Sequence, residues 1–148
     1  MRALLLACFA IVLARPADAH HTTASSWVKV EIRGFRSDKG KALVALFAAK
    51  KGFPDKPAHA LRRAEVTIQG GTARATFAKL PAGTYAVAVL HDEDGNKSMK
   101  TGLFGIPKEG YGASQDARGD FGPPSFGDAK FDIRAGRRVT TRIKLVYH

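Results

Sequence analysis

The chain has 148 residues and a formal net charge of +11, because 24 lysine and arginine residues outnumber 13 aspartate and glutamate residues. This length corresponds to one domain, and it is large enough to bury an adequate core without disulfides. The charge favours an anionic partner. A solvated basic surface that only keeps the protein soluble explains it equally well.

The N-terminal segment has the features of a secretory signal peptide. Arg2 precedes an apolar run over residues 3–14, which is too short to span a bilayer. Ala17-Asp18-Ala19 supplies a small-x-small cleavage pattern, so we expect a signal peptide over 1–19 and one mature domain over 20–148. Cleavage would remove Cys8, the only cysteine, and leave neither a disulfide nor a thiol nucleophile.

We therefore expect an exported protein, periplasmic or extracellular, without a transmembrane segment. A high isoelectric point usually points to nucleic acid. Here export argues against that partner, and so does the scatter of basic residues over strand faces and loops rather than on one helix. Anionic envelope polymers, lipid head groups, acidic proteins and glycans are the partners that this location favours.

Short alternating segments predict an all-β fold. Residues 27–33 alternate apolar and charged positions, whereas 41–47 are apolar on both faces, as in a strand buried on both sides. Apolar positions alternate over 64–68 and again over 73–77, on either side of Gly70-Gly71, which suits a two-residue hairpin turn. Further strands are predicted in three segments: 85–90, 130–134 and 139–147.

The bend over residues 80–85, Leu-Pro-Ala-Gly-Thr-Tyr, resembles a tyrosine corner, in which the Tyr85 hydroxyl bonds back to the main chain. The alternative is an ordinary strand aromatic. About seven strands without a long helix predict an immunoglobulin-like or transthyretin-like Greek-key sandwich.

A long insert over residues 91–127 interrupts the strands and is rich in glycine, proline and aromatic residues. Loops of this length are uncommon in compact domains unless they are functional or disordered. This insert retains large apolar side chains, so we expect it to be ordered and folded over one end or edge of the sandwich. These side chains are Leu103, Phe104, Ile106, Tyr111, Phe121 and Phe126.

Four blocks carry a family resemblance: the bend at 80–85, the acidic run at 91–97, GIPKEGYG at 105–112 and FGPPSF at 121–126. Together they resemble the bacterial domain of unknown function 2141, over nearly the whole mature chain. The resemblance implies an exported or envelope-associated single domain and no established activity, substrate or catalytic residue. Family members commonly continue the acidic turn with more glycine and acid, whereas this chain has Lys97 and Lys100.

Asp92, Asp94 and Asn96 alternate like the first ligands of a calcium loop. An EF-hand is excluded, because Lys97 and Leu103 occupy its sixth and twelfth positions. Two interpretations stay open: a shallower calcium site with backbone carbonyls, or a turn in which these side chains cap their own backbone. The two lysines favour the second.

A copper site is a separate hypothesis. Cleavage after Ala19 would make His20 the first residue, and its α-amine and ring could chelate copper together with His91 or His148. The alternative is a frayed tail.

Catalysis would need a different arrangement. His91, Asp92 and Glu109 are the candidates for acid–base chemistry in a carbohydrate-active enzyme. No G-x-S-x-G element or cofactor-binding motif accompanies them, so no catalytic constellation is evident.

The insert also supplies aromatic and polar side chains for a groove that binds a sugar or peptide. The candidate ligand-binding residues are Lys108, Glu109, Tyr111, Phe121 and Phe126. A lid that packs its aromatics onto the sandwich is the structural alternative. Our leading hypothesis is a non-enzymatic binding or structural module without a cofactor; a metal-binding protein and a carbohydrate-active enzyme are the alternatives.

Overall fold

The computed structural model describes residues 25–120 and 122–148, which form an all-β sandwich of two sheets, as the sequence predicts. The eight strands are β1 (Ser26–Arg33), β2 (Lys41–Phe47), β3 (Arg62–Val66), β4 (Thr72–Leu80), β5 (Gly83–Asp92), β6 (Tyr111–Ala113), β7 (Phe131–Ile133) and β8 (Arg138–Lys144). A four-residue helix, α1 (Phe126–Ala129), and three single 3-10 turns (Pro57–His59, Leu103–Gly105 and Ser114–Asp116) complete the described elements. Among the residues described, no helix is long and apolar enough to cross a membrane.

The smaller sheet has the order β4-β1-β8, with β1 antiparallel to β4 and parallel to β8. The larger sheet has the order β3-β2-β5-β6, and β7 pairs with the first residues of β5. The chain crosses between the sheets after β1, β3, β4 and β7. The sequence predicts about seven strands. The additional one is β6, a three-residue strand inside the insert.

The core lies between the inner faces of the two sheets. Val28, Val30 and Ile32 of β1 are buried, as their alternation predicts, and they face Val44 and Val87 of the larger sheet within one cluster. Full burial of each such side chain stabilises the fold by roughly 1.5–3 kcal/mol. The core therefore fixes which face of β1 points outward.

The larger sheet is buried on its outer face as well. Ala45 and Phe47 of β2 and Ala88 of β5 lie under Phe53 of the β2–β3 loop and Phe126 of α1. This covering explains why β2 is apolar on both faces. The second half of the insert thus acts as a lid over the sheet. The Ser114 hydroxyl donates to the Ala129 carbonyl at 2.6 Å and accepts the N–H of Val87 in β5 at 2.9 Å, which links the segment to the sheet.

The Gly70-Gly71 turn is confirmed, since both glycines have positive φ and Gln69 and Thr72 exchange two backbone hydrogen bonds. The strands on either side do not form a continuous hairpin, however. β3 joins the larger sheet and β4 the smaller one, so the turn is a crossing between sheets.

The tyrosine corner is confirmed. The hydroxyl of buried Tyr85 donates to the carbonyl of Pro81 at 2.8 Å, across the crossing from β4 to β5. Burial raises the pKa of this phenol above its ordinary value.

We predict that Tyr85→Phe lowers the free energy of unfolding by about 1 kcal/mol, because it removes a buried hydrogen bond and leaves the Pro81 carbonyl without its donor. Urea unfolding should show a lower midpoint with an unchanged slope. Tyr111→Phe is the matched control, since the Tyr111 hydroxyl bonds to His148 on the exposed surface. Equal losses in the two variants would contradict a structural role for the corner.

Candidate functional site

The first part of the insert, residues 92–110, forms a loop that we call the carboxylate-anchored loop. It begins at Asp92, the last residue of β5, and ends where β6 begins at Tyr111. Within it, residues 100–108 form a narrow hairpin. Lys108 donates its backbone N–H to the Lys100 carbonyl at 2.8 Å, and Gly102 donates to the Ile106 carbonyl at 2.8 Å.

Asp92 organises the turn at the start of this loop. Its side chain is only 2% exposed. One carboxylate oxygen accepts the N–H groups of Gly95 and Asn96 at 2.9 and 3.1 Å, and the other accepts that of Lys97 at 3.1 Å. Three charge-assisted hydrogen bonds offset the cost of burying the carboxylate. The capping interpretation of this turn is therefore confirmed for Asp92.

Glu109 holds the two legs of the loop together. It is also 2% exposed. Its Oε1 accepts from the N–H of Glu93 and its Oε2 from the N–H of Lys100, both at 2.9 Å. The sequence offered Glu109 as a groove or catalytic residue, whereas the structure turns its carboxylate inward as an anchor.

The carboxylates of Asp92, Asp94 and Glu109 converge, with one oxygen of each within 4.8 Å of the others. Such oxygen donors suit calcium or magnesium. Glu109 supplies the third carboxylate, and the amide oxygen of the predicted Asn96 accepts the N–H of Ser98 at 2.7 Å. The oxygens of Asp92 and Glu109 already accept five backbone N–H groups, so calcium binding stays a prediction.

His91 lies behind this loop and is fully buried. Its Nε2 lies 2.8 Å from the Lys39 carbonyl, which can only accept, so Nε2 carries the proton. Nδ1 lies 2.7 Å from the Tyr147 hydroxyl and accepts from it in the neutral ring. Burial raises the pKa of the Tyr147 phenol, consistent with a neutral hydroxyl. Both ring nitrogens are engaged, so His91 fastens the C-terminal residues to the sandwich.

An ion pair ties the loop to the connection between β1 and β2. Arg36 donates its Nε–H to Glu93 Oε1 at 3.0 Å, and its Nη2 contacts Glu93 Oε2 and the Lys108 carbonyl. The same guanidinium lies over the Tyr147 ring, 4.7 Å from its centre. Its hydrogen bonds lower the pKa of Glu93, against the opposing effect of partial burial.

The remaining predicted residues lie at different places. Lys108 is exposed, Tyr111 stacks on His148 with its ring centre 5.7 Å away, and Phe126, which belongs to the lid, packs against Phe53. Phe121 and His20 lie outside the described residues. Glu109, Tyr111 and Phe126 thus contact different residues and do not line one groove. The carboxylates of Asp92, Asp94 and Glu109 do lie close together.

The smaller sheet shows a feature that sequence reasoning missed, which we call the cationic face. The parallel pairing of β1 with β8 and the antiparallel pairing with β4 place six basic side chains on one outward face, accompanied by one acid, Glu31. The six are Lys29, Arg33, Arg74, Arg138, Arg142 and Lys144. Each strand contributes at least one outward basic residue, but alternation does not reveal which strands are neighbours.

A family model described as "Uncharacterized protein conserved in bacteria (DUF2141)" matches residues 30–141. The chain belongs to this family. The matched span runs from β1 into β8 and includes both the carboxylate-anchored loop and the lid. The family resemblance expected from the sequence is therefore confirmed. No curated protein and no solved structure matches the chain.

We predict that Glu109→Gln lowers the free energy of unfolding by about 1–3 kcal/mol, because the amide nitrogen leaves one of two backbone N–H groups without an acceptor. Amide exchange at Glu93 and Lys100 should become faster. Glu65→Gln is the control, since Glu65 is exposed and pairs with Lys97 on the surface, where ion pairs contribute little. A calcium-dependent rise in wild-type melting temperature that disappears in Glu109→Gln would support the metal hypothesis.

A pH dependence follows from the ion pair at Glu93. A lowered folded-state pKa gives stability that is present above the unfolded value of about 4.5 and is lost as the pH falls through the folded value. Glu93→Gln should therefore be less stable than wild type at neutral pH, and the difference should shrink below about pH 4.5. Urea unfolding from pH 7 to 3 measures this. A difference that stays constant over that range would refute the assignment.

Proposed function

We propose that the protein is an exported, non-enzymatic binding module of the bacterial envelope, and that its cationic face binds an anionic polymer. The observation that carries the proposal is the grouping of six basic side chains on one flat sheet surface. Three strands spaced about 4.8 Å apart and about seven residues long give a surface of roughly 10 by 20 Å. Phosphate or carboxylate groups repeated along a polymer suit such a surface.

The one acid on this face does not neutralise it. Glu31 pairs with Lys29 at 2.8 Å and with Arg142 at 3.3 Å. A hydrogen bond from Lys29 and the charges of Lys29, Arg142 and Arg74 lower the pKa of Glu31, which shows how positive its surroundings are. Arg33, Arg138 and Lys144 are exposed at the ends of the face.

The rest of the described surface supports binding more than catalysis. Both nitrogens of His91 are engaged, and the carboxylates of Asp92 and Glu109 hold backbone N–H groups, so these candidates for acid–base chemistry serve the fold. Two shallow depressions, one between β3 and β4 and one between Ser114–Asp116 and β8, are lined mainly by polar side chains and open to solvent.

We expect the combined variant Arg33→Gln, Arg74→Gln and Arg142→Gln to bind deacylated lipopolysaccharide about tenfold more weakly than wild type at low salt, since exposed charge pairs contribute up to about 1 kcal/mol each. Deacylated polysaccharide is used so that lipid chains play no part. Wild-type binding should also fall steeply as salt is raised.

The matched control removes three exposed lysines of the β2–β3 loop: Lys50→Gln, Lys51→Gln and Lys56→Gln. It changes net charge equally and should retain binding. Equal weakening in both variants would show that net charge alone acts, and an absence of wild-type binding to both lipopolysaccharide and peptidoglycan would refute the proposal.

A further inference from the structure

The end of the hairpin in the carboxylate-anchored loop carries an exposed apolar tip, which we define as Leu103, Phe104 and Ile106. Their side chains are 82%, 98% and 52% exposed. Among the described residues, the remaining large exposed hydrophobic side chain is Leu61, at 41%. Three neighbouring side chains of this kind on one protrusion indicate a contact surface, because the largest contiguous apolar patch on a soluble protein is often functional.

The backbone holds the tip in place. The hairpin closes through the hydrogen bonds between residues 100 and 108 and between 102 and 106, and Thr101 pairs with Pro107. Buried Glu109 fixes its base by accepting the N–H of Lys100. Phe104 has a φ of +59°, in the left-handed region that bulky residues rarely adopt. The fold therefore presents this ring outward at a conformational cost.

Two lysines, Lys100 and Lys108, are hydrogen-bonded through their backbones at the base of the hairpin, and Lys97 precedes them in the loop. Lys97, Lys100 and Lys108 are all exposed, and the described residues offer Lys108 no ion-pair partner. Lys97 pairs with Glu65 at 2.6 Å and Lys100 with Asp94 at 3.4 Å, on the solvent-exposed surface. Apolar side chains at the end and ammonium groups behind them match the layers of an anionic bilayer, in which head groups lie above the acyl region.

We propose that the apolar tip inserts into an anionic lipid bilayer. Three side chains on a convex tip offer far less than the roughly 800 Å² per partner that a stable protein interface buries. A bilayer requires no complementary groove. Its apolar interior stabilises inserted apolar side chains, and its anionic head groups attract positive charge. This contact uses a surface separate from the cationic face, so it does not rest on polymer binding.

A tryptophan at the tip tests insertion directly. The chain has a single tryptophan, Trp27, so Phe104→Trp in a Trp27→Phe background reports on the tip alone. The probe is the protein with its natural N-terminus, identified by mass spectrometry. Its emission should shift to the blue with phosphatidylglycerol-containing vesicles and stay unchanged with phosphatidylcholine vesicles. An unchanged emission with both kinds of vesicle would overturn the proposal.

Matched variants test whether the tip contributes to binding. Phe104→Asn retains a residue that tolerates the left-handed backbone, and it should float with phosphatidylglycerol vesicles about tenfold less than wild type. Leu61→Ser removes an exposed apolar side chain elsewhere and should float like wild type. Flotation of Phe104→Asn equal to wild type would overturn the proposal, as would self-association that needs Phe104 without any binding to vesicles.

The two proposals fail separately. A protein whose tip emission shifts with vesicles but which does not bind deacylated lipopolysaccharide keeps the inserted tip and loses the cationic-face function. The reverse result keeps polymer binding and removes insertion.

Discussion

Two buried carboxylates determine the shape of the first half of the insert. Asp92 and Glu109 together accept five backbone N–H groups that would otherwise need water or a partner strand. A loop of this length has few regular hydrogen bonds of its own, so its conformation follows from where these side chains sit. Because Glu109 joins both legs of the loop, the position of the hairpin and its apolar tip depends on one buried side chain.

The two halves of the insert have different physical roles. The second half, from Ser114 to Gly127, brings Phe126 over the outer face of the larger sheet and buries apolar surface that β2 and β5 would otherwise expose. The first half buries the carboxylates of Asp92 and Glu109 and leaves apolar side chains in solvent. One half of the insert therefore stabilises the fold, whereas the other half exposes an apolar tip that covering the sheet does not require. The proposed polymer-binding face lies on the smaller sheet, which the insert does not form.

Local patterns in the sequence predicted the local structure well. The alternation over Val28, Val30 and Ile32 identified the inner face of β1, and Gly70-Gly71 identified a turn whose backbone needs positive φ. Tyr85 was recognisable because the tyrosine corner bonds across only four residues. In each case the physical requirement and the residues that meet it lie within one short segment.

What the sequence did not reveal depends on distant pairing. Glu109 bonds to N–H groups nine and sixteen residues away, and no local pattern distinguishes an inward carboxylate from an exposed one. The cationic face required β8 to lie parallel to β1, which alternation within either strand does not specify. β6 was missed because it is short and contains Gly112, where a side chain would meet Ile143 at 2.7 Å.

The parallel pairing of β1 with β8 also constrains when the molecule can fold. Leu145 donates to the carbonyl of Arg33, and Val146 exchanges two hydrogen bonds with Tyr111, so residues beyond β8 join the two sheets along one edge. A nascent chain that lacks residues 138–146 cannot form these hydrogen bonds, and one side of its β1 stays unpaired. Closure of the sandwich must therefore wait until residues 138–146 are available, an order of events compatible with the export proposed above.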